Sequence, residues 1–318
     1  MPGFRKAVLL YNPAAGTLRR SPKLIAKVET AVRGLADSVT LEPTRGTGTA
    51  GGQARAAVDG GCDLVIAFGG DGTVFETLQG MARTSAAMAV LPGGTANVLA
   101  NDIGLANDPV IAAGQLKTFE AESIPLGRLA CGGLTRWFSV AAGVGVHSEL
   151  VYNASAQAKQ HGRIGAYYVA GFDLLFRHGF VPFEVEITRT DGAVVRDTVL
   201  EMVAMRVSSF GWWLRRWKPG SDLRAPHLQL VLLKESGRMA MMRYVFEAMA
   251  GRAHREDMTS RSADVRFVPA TRVRCTRPED ADARQVRVQA DGEVLGGMPA
   301  EFEIVPGALR LLMPAGRG

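Results

Sequence analysis

The chain has 318 residues, of which 47% are hydrophobic and 21% are charged, so it can bury a substantial core and is not a disordered chain. No apolar run reaches the roughly 18–20 residues that a membrane-spanning helix needs, and the N-terminal sequence lacks the features of a signal peptide. The formal net charge of +6 favours an acidic partner: a nucleic acid, a nucleotide or an anionic membrane surface. Three scattered cysteines predict buried free thiols in a reducing compartment.

The first third of the chain alternates between strand-like and helix-like segments. Strands are predicted at 6–11, 38–41, 63–68 and 88–91. Helices are predicted at 24–35 and 50–58, after Thr73 and from about Ala96. This alternation is typical of a parallel, doubly wound sheet, which binds ligands outside the carboxyl ends of its strands. The candidate binding segments are therefore the loops that follow the strands, at 12–16, 44–52, 69–73 and 92–97.

The pattern changes near residue 120, after which strand-like runs dominate. Strands are predicted at 183–189, 194–207, 227–233, 286–289 and 301–305. Helix-like stretches interrupt them at about 163–177 and 237–250, and the Asp-Gly of RTDGAV (189–194) predicts a tight hairpin. We expect a doubly wound α/β domain followed by a mainly antiparallel, β-rich domain, with the active site in the cleft between the two.

The segment GTGTAG (46–51) matches G-x-G-x-x-G, the fingerprint of dinucleotide-binding proteins. It follows the second predicted strand rather than the first, and no ribose-binding acid ends the next strand, where Phe68 and Gly69 stand. We therefore favour a nucleotide-contacting loop of another type. The sequence contains neither a Walker motif nor a Cys/His cluster, which argues against a P-loop protein and a zinc enzyme.

The segment GGDGT (69–73) combines glycines, which allow backbone N–H groups to approach phosphate oxygens, with the start of a helix, which favours anions. An acidic residue repels phosphate unless a cation lies between the two. Asp71 is therefore interpreted as a Mg²⁺ ligand on a bound nucleotide, or as a group that polarises an acceptor hydroxyl. The alternative is a helix-capping Asp-Gly turn.

Two further segments repeat this chemistry. In PGGTAN (92–97), Thr95 can cap the following helix or donate a hydrogen bond to phosphate. In VQADGEVLGG (288–297), an Asp-Gly-Glu sequence follows a strand-like run. From the residues alone, that sequence is equally well a solvated hairpin turn or a functional one.

The stretch FGWWLRRWK (210–218) carries three of the four tryptophans together with three basic residues. Burying these cations in a core is costly unless they are paired. Tryptophan and arginine together suit a membrane–water interface, whereas stacking on single-stranded nucleic acid is the competing interpretation. The residues predicted to contact an anionic membrane are Trp212, Trp213, Arg215, Arg216 and Trp217.

Taken together, five segments resemble the diacylglycerol kinase catalytic-domain family, which includes bacterial lipid kinases and sphingosine kinases. They are YNPAAG (11–16), FGGDGTVFE (68–76), LPGGTANVLA (91–100), QADGEVLGG (289–297) and EFEIVPGALRLLMP (301–314). The resemblance covers nearly the whole chain. The GGDGT segment is shared with NAD kinases, whereas PGGTAN and the late Asp-Gly-Glu point to the lipid branch.

The resemblance implies a nucleotide-binding domain at 1–120, to which about 304–318 returns, and a β-sandwich-like lipid-substrate domain at 121–303. It implies ATP and Mg²⁺ as cofactors, with Asp71 as the metal ligand. In the second loop, it implies that either Thr44 or Thr47 contacts the nucleotide. The residues expected to contact nucleotide are Asn12, Thr44, Thr47, Gly69, Gly70, Asp71, Gly72, Thr73, Gly94, Thr95 and Asn97. Glu293 is expected to be the general base toward a lipid hydroxyl, and Asp71 is the second expected catalytic residue.

The sequence departs from the family pattern at two places. Bacterial members often carry an Asp-Gly before the strand that reads HLQLVLL here, and that aspartate helps to hold a structural Mg²⁺. The matching positions are Ala225 and Pro226, with Asp222 nearby but offset, so this second metal site is in doubt. The Trp-rich stretch also replaces a segment of small residues, so that substrate selection could differ.

These observations predict an ATP-dependent kinase that phosphorylates a lipid hydroxyl, with diacylglycerol as the acceptor. The alternatives are a kinase for a sphingoid base or another lipid, a soluble-substrate kinase of the NAD kinase type, and a non-catalytic lipid or nucleotide sensor. We expect a cytoplasmic protein that binds the inner face of the membrane peripherally and has no nucleic-acid partner. The sequence leaves the oligomeric state open.

Overall fold

A computed structural model describes residues 3–145, 181–208, 221–234, 265–277 and 286–315. These residues fall into two compact units. The first extends to Leu126 and resumes at Pro306, and the second lies between Gly127 and Val305. The Trp-rich stretch, with its five candidate membrane-contacting residues, and both helices predicted after residue 160 lie outside the described residues.

The first unit is built on a parallel sheet. Its strands are β1 (Phe4–Tyr11), β2 (Ala36–Pro43), β3 (Leu64–Gly69), β4 (Ala87–Pro92) and the last part of β15 (Ala300–Pro314), in the order β15–β4–β3–β1–β2. Its helices are α1 (Gly16–Arg20), α2 (Leu24–Val32), α3 (Ala50–Asp59), α4 (Asp71–Met81), α5 (Val98–Asp102) and α6 (Pro109–Gln115), followed by a 3₁₀ turn at Leu116–Thr118.

Continuous apolar runs explain the centre of this sheet. Every residue of β3 and of β4 is buried, as expected for parallel strands that are covered on both faces. Helices α3 and α4 approach closely because glycines meet at their contact: a Cβ atom on Gly80 would collide with the carbonyl oxygen of Gly51. Because β1 to β4 pair in parallel, their carboxyl ends lie at one edge of the sheet, where the candidate loops begin.

The second unit is antiparallel. Its strands are β6 (Leu134–Phe138), β7 (Ala141–Gly145), β8 (Phe183–Arg189), β9 (Val194–Val199), β10 (Glu201–Met205), β11 (Leu228–Leu233), β12 (Val265–Thr276), β13 (Arg287–Ala290) and β14 (Glu293–Gly297). The order runs β14–β13–β7–β10–β11–β12, and β12 also pairs with β8 and with the first part of β15. Strand β5 (Phe119–Cys131) begins in the first unit, ends in the second, and pairs with β6 and β15.

The fold class is the predicted one, an α/β unit joined to a mainly antiparallel unit. The single strand predicted at 194–207 is wrong: the chain breaks at Leu200, so that β9 pairs with β8 whereas β10 pairs with β7 and β11. The strand predicted at 301–305 is much longer, because it continues into the first unit as β15. The RTDGAV hairpin is confirmed, with Gly192 at φ +84°.

No helix in the described part of the chain has both the length and the apolar character that crossing a bilayer would require.

Candidate functional site

Three loops at the carboxyl edge of the first sheet are joined by hydrogen bonds. The backbone N–H of Asn12, after β1, donates to the carbonyl oxygen of Phe68 on β3 at 2.9 Å, and its side-chain Nδ2 donates to Oγ1 of Thr73 at 3.2 Å. The N–H of Gly93, after β4, donates to the carbonyl oxygen of Gly69 at 2.8 Å. The structure thus brings the loops at 12–16, 69–73 and 92–97 together.

Glycines make this close approach possible. A Cβ atom on Gly94 would lie 2.6 Å from the Cα atom of Gly70, and one on Gly93 would lie 2.9 Å from the Cα atom of Gly69. Gly72 differs from these four, because it is exposed and would place a Cβ atom in open space. Packing within the described residues therefore accounts for the first four glycines but not for Gly72.

The Asp71 carboxylate connects the two glycine-rich loops. Its Oδ2 accepts the N–H of Asn97 at 3.1 Å, and its Oδ1 accepts the N–H of Val98 at 2.7 Å. Both donors lie at the start of α5, so Asp71 caps a helix that is 26 residues away in the sequence. A carboxylate has about four lone-pair sites, so these two bonds leave acceptor capacity for a cation or a hydroxyl.

Asn97 shapes the second loop. It lies in the left-handed region, with φ 46° and ψ 49°. Its Oδ1 accepts the N–H of Gly94 at 2.8 Å, and its Nδ2 donates to the carbonyl oxygen of the same glycine at 3.1 Å. Thr95 is exposed at the tip of the turn. The Asn97 side chain therefore forms its hydrogen bonds within the turn, whereas the Thr95 side chain faces solvent.

A small pocket opens beside Asp71. Its lining comes from the ends of β3 and β4 and from the first turns of α4 and α5: Gly69, Asp71, Val74, Leu91, Pro92, Asn97, Leu99 and Ala100. At the start of α4, the first N–H groups have no partner within the helix. This arrangement of N–H groups without intrahelical partners, an exposed glycine and one carboxylate suits a phosphate group with an accompanying cation.

The loop after β2 is held by a residue that the sequence analysis did not single out. Glu76 on α4 accepts the N–H of Gly48 at 2.7 Å and that of Ala50 at 3.2 Å. The protein's own carboxylate therefore occupies the start of α3, where a true dinucleotide fingerprint would hold pyrophosphate. Thr44 is half-buried and Thr47 is exposed, and no side-chain contact within the described part of the chain favours one of them as the nucleotide ligand.

In the second unit, Asp291 fixes the turn between β13 and β14. The N–H groups of Ser139, Val140 and Ala141 donate to its carboxylate at 2.9 Å each, and the Ser139 hydroxyl donates at 3.3 Å. Burial raises the pKa of Asp291 to about 6, and these hydrogen bonds oppose the rise, so the group is ionised at neutral pH. Glu293, two residues on, is exposed.

The Asp291 carboxylate therefore holds the turn in place, and the turn leaves the Glu293 side chain exposed to solvent. The sequence analysis noticed Asp-Gly-Glu but did not assign the aspartate a role. Its positive φ of 45°, which is uncommon for a residue other than glycine, is consistent with a conformation imposed by these bonds.

Among the residues that the structure describes, no three His, Cys, Asp or Glu side chains converge as a metal cluster would. Asp71 could therefore hold Mg²⁺ only together with oxygens from another source. Nucleotide phosphates are the usual source, because Mg²⁺ is commonly bound by one or two carboxylates plus substrate phosphates.

Comparison with known proteins agrees with this geometry. The family "Diacylglycerol kinase catalytic domain" matches residues 6–129, and the family "YegS C-terminal NAD kinase beta sandwich-like domain" matches residues 139–313. A protein of Mycobacterium tuberculosis named diacylglycerol kinase is 31% identical over 261 residues, which cover 81% of this chain and 79% of that protein. The chain belongs to the diacylglycerol kinase catalytic-domain family.

Other members of the family match over nearly their full length. The diacylglycerol kinase of Bacillus subtilis strain 168 is 26% identical over 314 residues, which cover 98% of this chain and 97% of that protein. A crystal structure of a Bacillus anthracis diacylglycerol kinase superposes with a TM-score of 0.71 at 20% identity, covering 99% of both chains. This superposition confirms the fold, and the family membership predicted from the five segments is also confirmed.

Proposed function

We propose that this protein is an ATP- and Mg²⁺-dependent lipid kinase that transfers the γ-phosphoryl group to the hydroxyl of diacylglycerol. The observation that carries the proposal is the coupling of two glycine-rich loops through Asp71 beside a pocket at the carboxyl edge of a parallel sheet. The family supports kinase activity, and the names of the relatives support diacylglycerol as the acceptor.

The nucleotide would bind at the first turn of α4. The N–H groups of Asp71, Gly72 and Thr73 are free of partners within the helix, and the missing side chain of Gly72 leaves space for phosphate oxygens. Thr95 offers an exposed hydroxyl from the neighbouring loop. Thr73 and Asn12 would act indirectly, since Asn12 donates to the Thr73 hydroxyl and both support the loop.

Mg²⁺ bound to ATP would neutralise charge on the phosphates and would be held in part by Asp71. Because the carboxylate also caps α5, binding a cation there would tie the metal to the loop at 92–97. This double role explains why an acidic residue lies in an anion-binding loop.

Glu293 would act as the general base. It accepts the proton of the lipid hydroxyl while the hydroxyl oxygen forms a bond to the γ-phosphorus and the bond from phosphorus to ADP breaks. The exposed position of Glu293 suits a group that meets a substrate, and the bonds to Asp291 fix the turn that carries it. Asp291 is a positioning residue in this scheme.

The test is transfer of labelled phosphate from ATP to a panel of acceptors: diacylglycerol, a sphingoid base and NAD⁺. We expect diacylglycerol to be phosphorylated, and Glu293→Gln to lower the rate by about 10²–10⁴-fold without loss of stability. Glu184→Gln is the matched control, because Glu184 is an exposed acid of the same unit on β8. Phosphorylation of NAD⁺ alone would refute the lipid assignment, and full activity of Glu293→Gln would refute the proposed base.

We also propose that the Trp-rich stretch docks on an anionic membrane surface at the cytoplasmic face. Tryptophan and arginine in one short segment support this proposal. Co-sedimentation with vesicles that contain anionic lipid should fall in a variant in which Trp212, Trp213 and Trp217 are all replaced by alanine. Undiminished sedimentation, with a native thermal unfolding profile, would refute it.

A further inference from the structure

Arg206 is a fully buried cation in the second unit. It directly follows β10, and its exposed fraction is 0%. Its guanidinium donates to three backbone carbonyl oxygens: those of Leu223 at 2.5 Å, Ala225 at 2.9 Å and His227 at 2.7 Å. All three carbonyls belong to the segment at 221–227, which leads into β11.

Carbonyl groups of alternate residues rarely turn toward one point unless a positive group lies there, because their dipoles repel one another. In this segment the positive group is supplied by the chain itself. Burial lowers the pKa of Arg206 to about 10, and the charge of Asp222 opposes that change, so the guanidinium remains cationic at neutral pH. Asp222 lies in the same segment, and its Oδ1 accepts the N–H of Arg224 at 2.8 Å.

The structural Mg²⁺ implied by the family resemblance does not fit this segment. The Asp-Gly pair whose aspartate would help to hold it is matched here by Ala225 and Pro226, neither of which has a side-chain oxygen. The carbonyl oxygens that remain already accept hydrogen bonds from Arg206. A divalent cation placed among them would lie within a few ångströms of a buried positive charge, where repulsion is only weakly screened.

We propose that Arg206 takes the place of a structural metal ion, so that the segment before β11 holds its shape without bound Mg²⁺. Unlike a metal ion, this cation is a side chain of the protein, and its hydrogen bonds link the end of β10 to the segment that leads into β11. The hydroxyl of Ser221 donates to the carbonyl oxygen of Met205 at 2.9 Å, which is a second link between the end of β10 and the segment at 221–227. This inference does not depend on which substrate the kinase uses.

The first test uses the unaltered full-length chain without nucleotide. When the chain is purified in buffer that contains Mg²⁺ and then gel-filtered without chelator, elemental analysis should find no stoichiometric Mg²⁺. The thermal unfolding midpoint should be the same in EDTA and in millimolar Mg²⁺ to within about 1 °C, because a ligand that binds the folded state would raise it. One tightly held Mg²⁺ per chain, with a lower midpoint on its removal, would overturn the proposal.

The second test changes the cation. Arg206→Met keeps similar length and removes the charge and the donors, so that three carbonyls in buried or partly buried bonds lose this partner. We expect the unfolding midpoint to fall by roughly 10 °C, with a smaller fall for Arg206→Lys, which keeps a positive charge. Arg196→Met is the matched control, since Arg196 is an arginine of the same unit with an 83% exposed side chain, and it should shift the midpoint by at most about 2 °C.

An unchanged midpoint in Arg206→Met would overturn the proposal, and so would an equal fall in Arg206→Lys and Arg206→Met. If neither variant folded, the measurement of metal content and EDTA response in the unaltered chain would still decide between an internal cation and a bound one.

Discussion

Replacing Asp71 by asparagine tests whether this residue both joins two loops and serves the nucleotide. Each carboxylate oxygen of Asp71 accepts one backbone N–H, from Asn97 and from Val98. An asparagine keeps one acceptor oxygen and turns its NH₂ group toward the other N–H. The variant therefore loses one charge-assisted hydrogen bond and leaves a partly buried donor unpaired, which together cost about 2–4 kcal/mol.

Asp108 supplies a control with the same chemical change in the same unit. It caps α6, but a single oxygen, Oδ1, accepts the N–H groups of both Val110 and Ile111, at 2.8 and 3.2 Å. Asparagine can reproduce this arrangement, and it is as good a helix cap as aspartate. We expect Asp108→Asn to cost less than about 0.5 kcal/mol, because the oxygen that accepts both bonds is retained.

The assays are denaturant unfolding for the free energy and labelled-phosphate transfer across a range of Mg²⁺ concentrations for the activity. Asp71→Asn should lose at least about 100-fold in rate, since both the cation ligand and the loop at 92–97 are affected. If Asp71→Asn is as stable as Asp108→Asn, the loops are not coupled through the carboxylate. If it is destabilised but fully active, Asp71 is only a helix cap, which is the alternative interpretation of the GGDGT turn.

Further predictions concern the glycines and the second turn. Gly94→Ala should destabilise the protein by about 1–3 kcal/mol, because its Cβ atom would lie 2.6 Å from the Cα atom of Gly70. Gly72→Ala should leave the unfolding free energy unchanged and weaken ATP binding measured by calorimetry. Equal stability of the two variants would contradict the packing argument. Asp291→Asn should lower the unfolding free energy by about 2–4 kcal/mol and reduce kcat, whereas the control Asp191→Asn, in an exposed hairpin turn, should do neither. An active and stable Asp291→Asn variant would show that the turn does not need its anchor.

Local patterns were sufficient to predict β1 to β4 of the first unit and its helices α2 to α5, whereas the short helices α1 and α6 were not predicted. Strands β3 and β4 are covered on both faces, so their sequences are uninterrupted apolar runs that end where the loops begin. The fold class followed from the alternation of strand-like and helix-like segments and the strand-rich pattern after it, the family followed from five motif segments, and both were confirmed. In the second unit, β12 was missed because Pro269 interrupts it and only its second half, Arg272–Thr276, alternates between exposed and buried residues. The break at Leu200 was also missed, because both halves of 194–207 are equally strand-like and only their different partners separate them.

The roles of individual site residues depended on contacts between distant segments. No local pattern shows that Asp71 accepts N–H groups 26 residues away, that Glu76 holds the loop at 46–50, or that Asp291 bonds to residues near 140. These partners are set by strand order: β4 must lie beside β3, and β13 beside β7, before the groups meet. The nucleotide and general-base assignments for Asp71 and Glu293 stay predictions for the assays above.

The order of synthesis gives β15 a particular importance. Its first residues pair with β12 in the second unit, and Arg310 and Leu311 pair with β4 in the first. As β15 comes after every other described strand in the chain, a ribosome-bound protein would lack this strand in both units until about residue 314 had been translated. A nascent chain stalled before β15 should therefore expose the edges of β4 and β12 to chaperones and proteases.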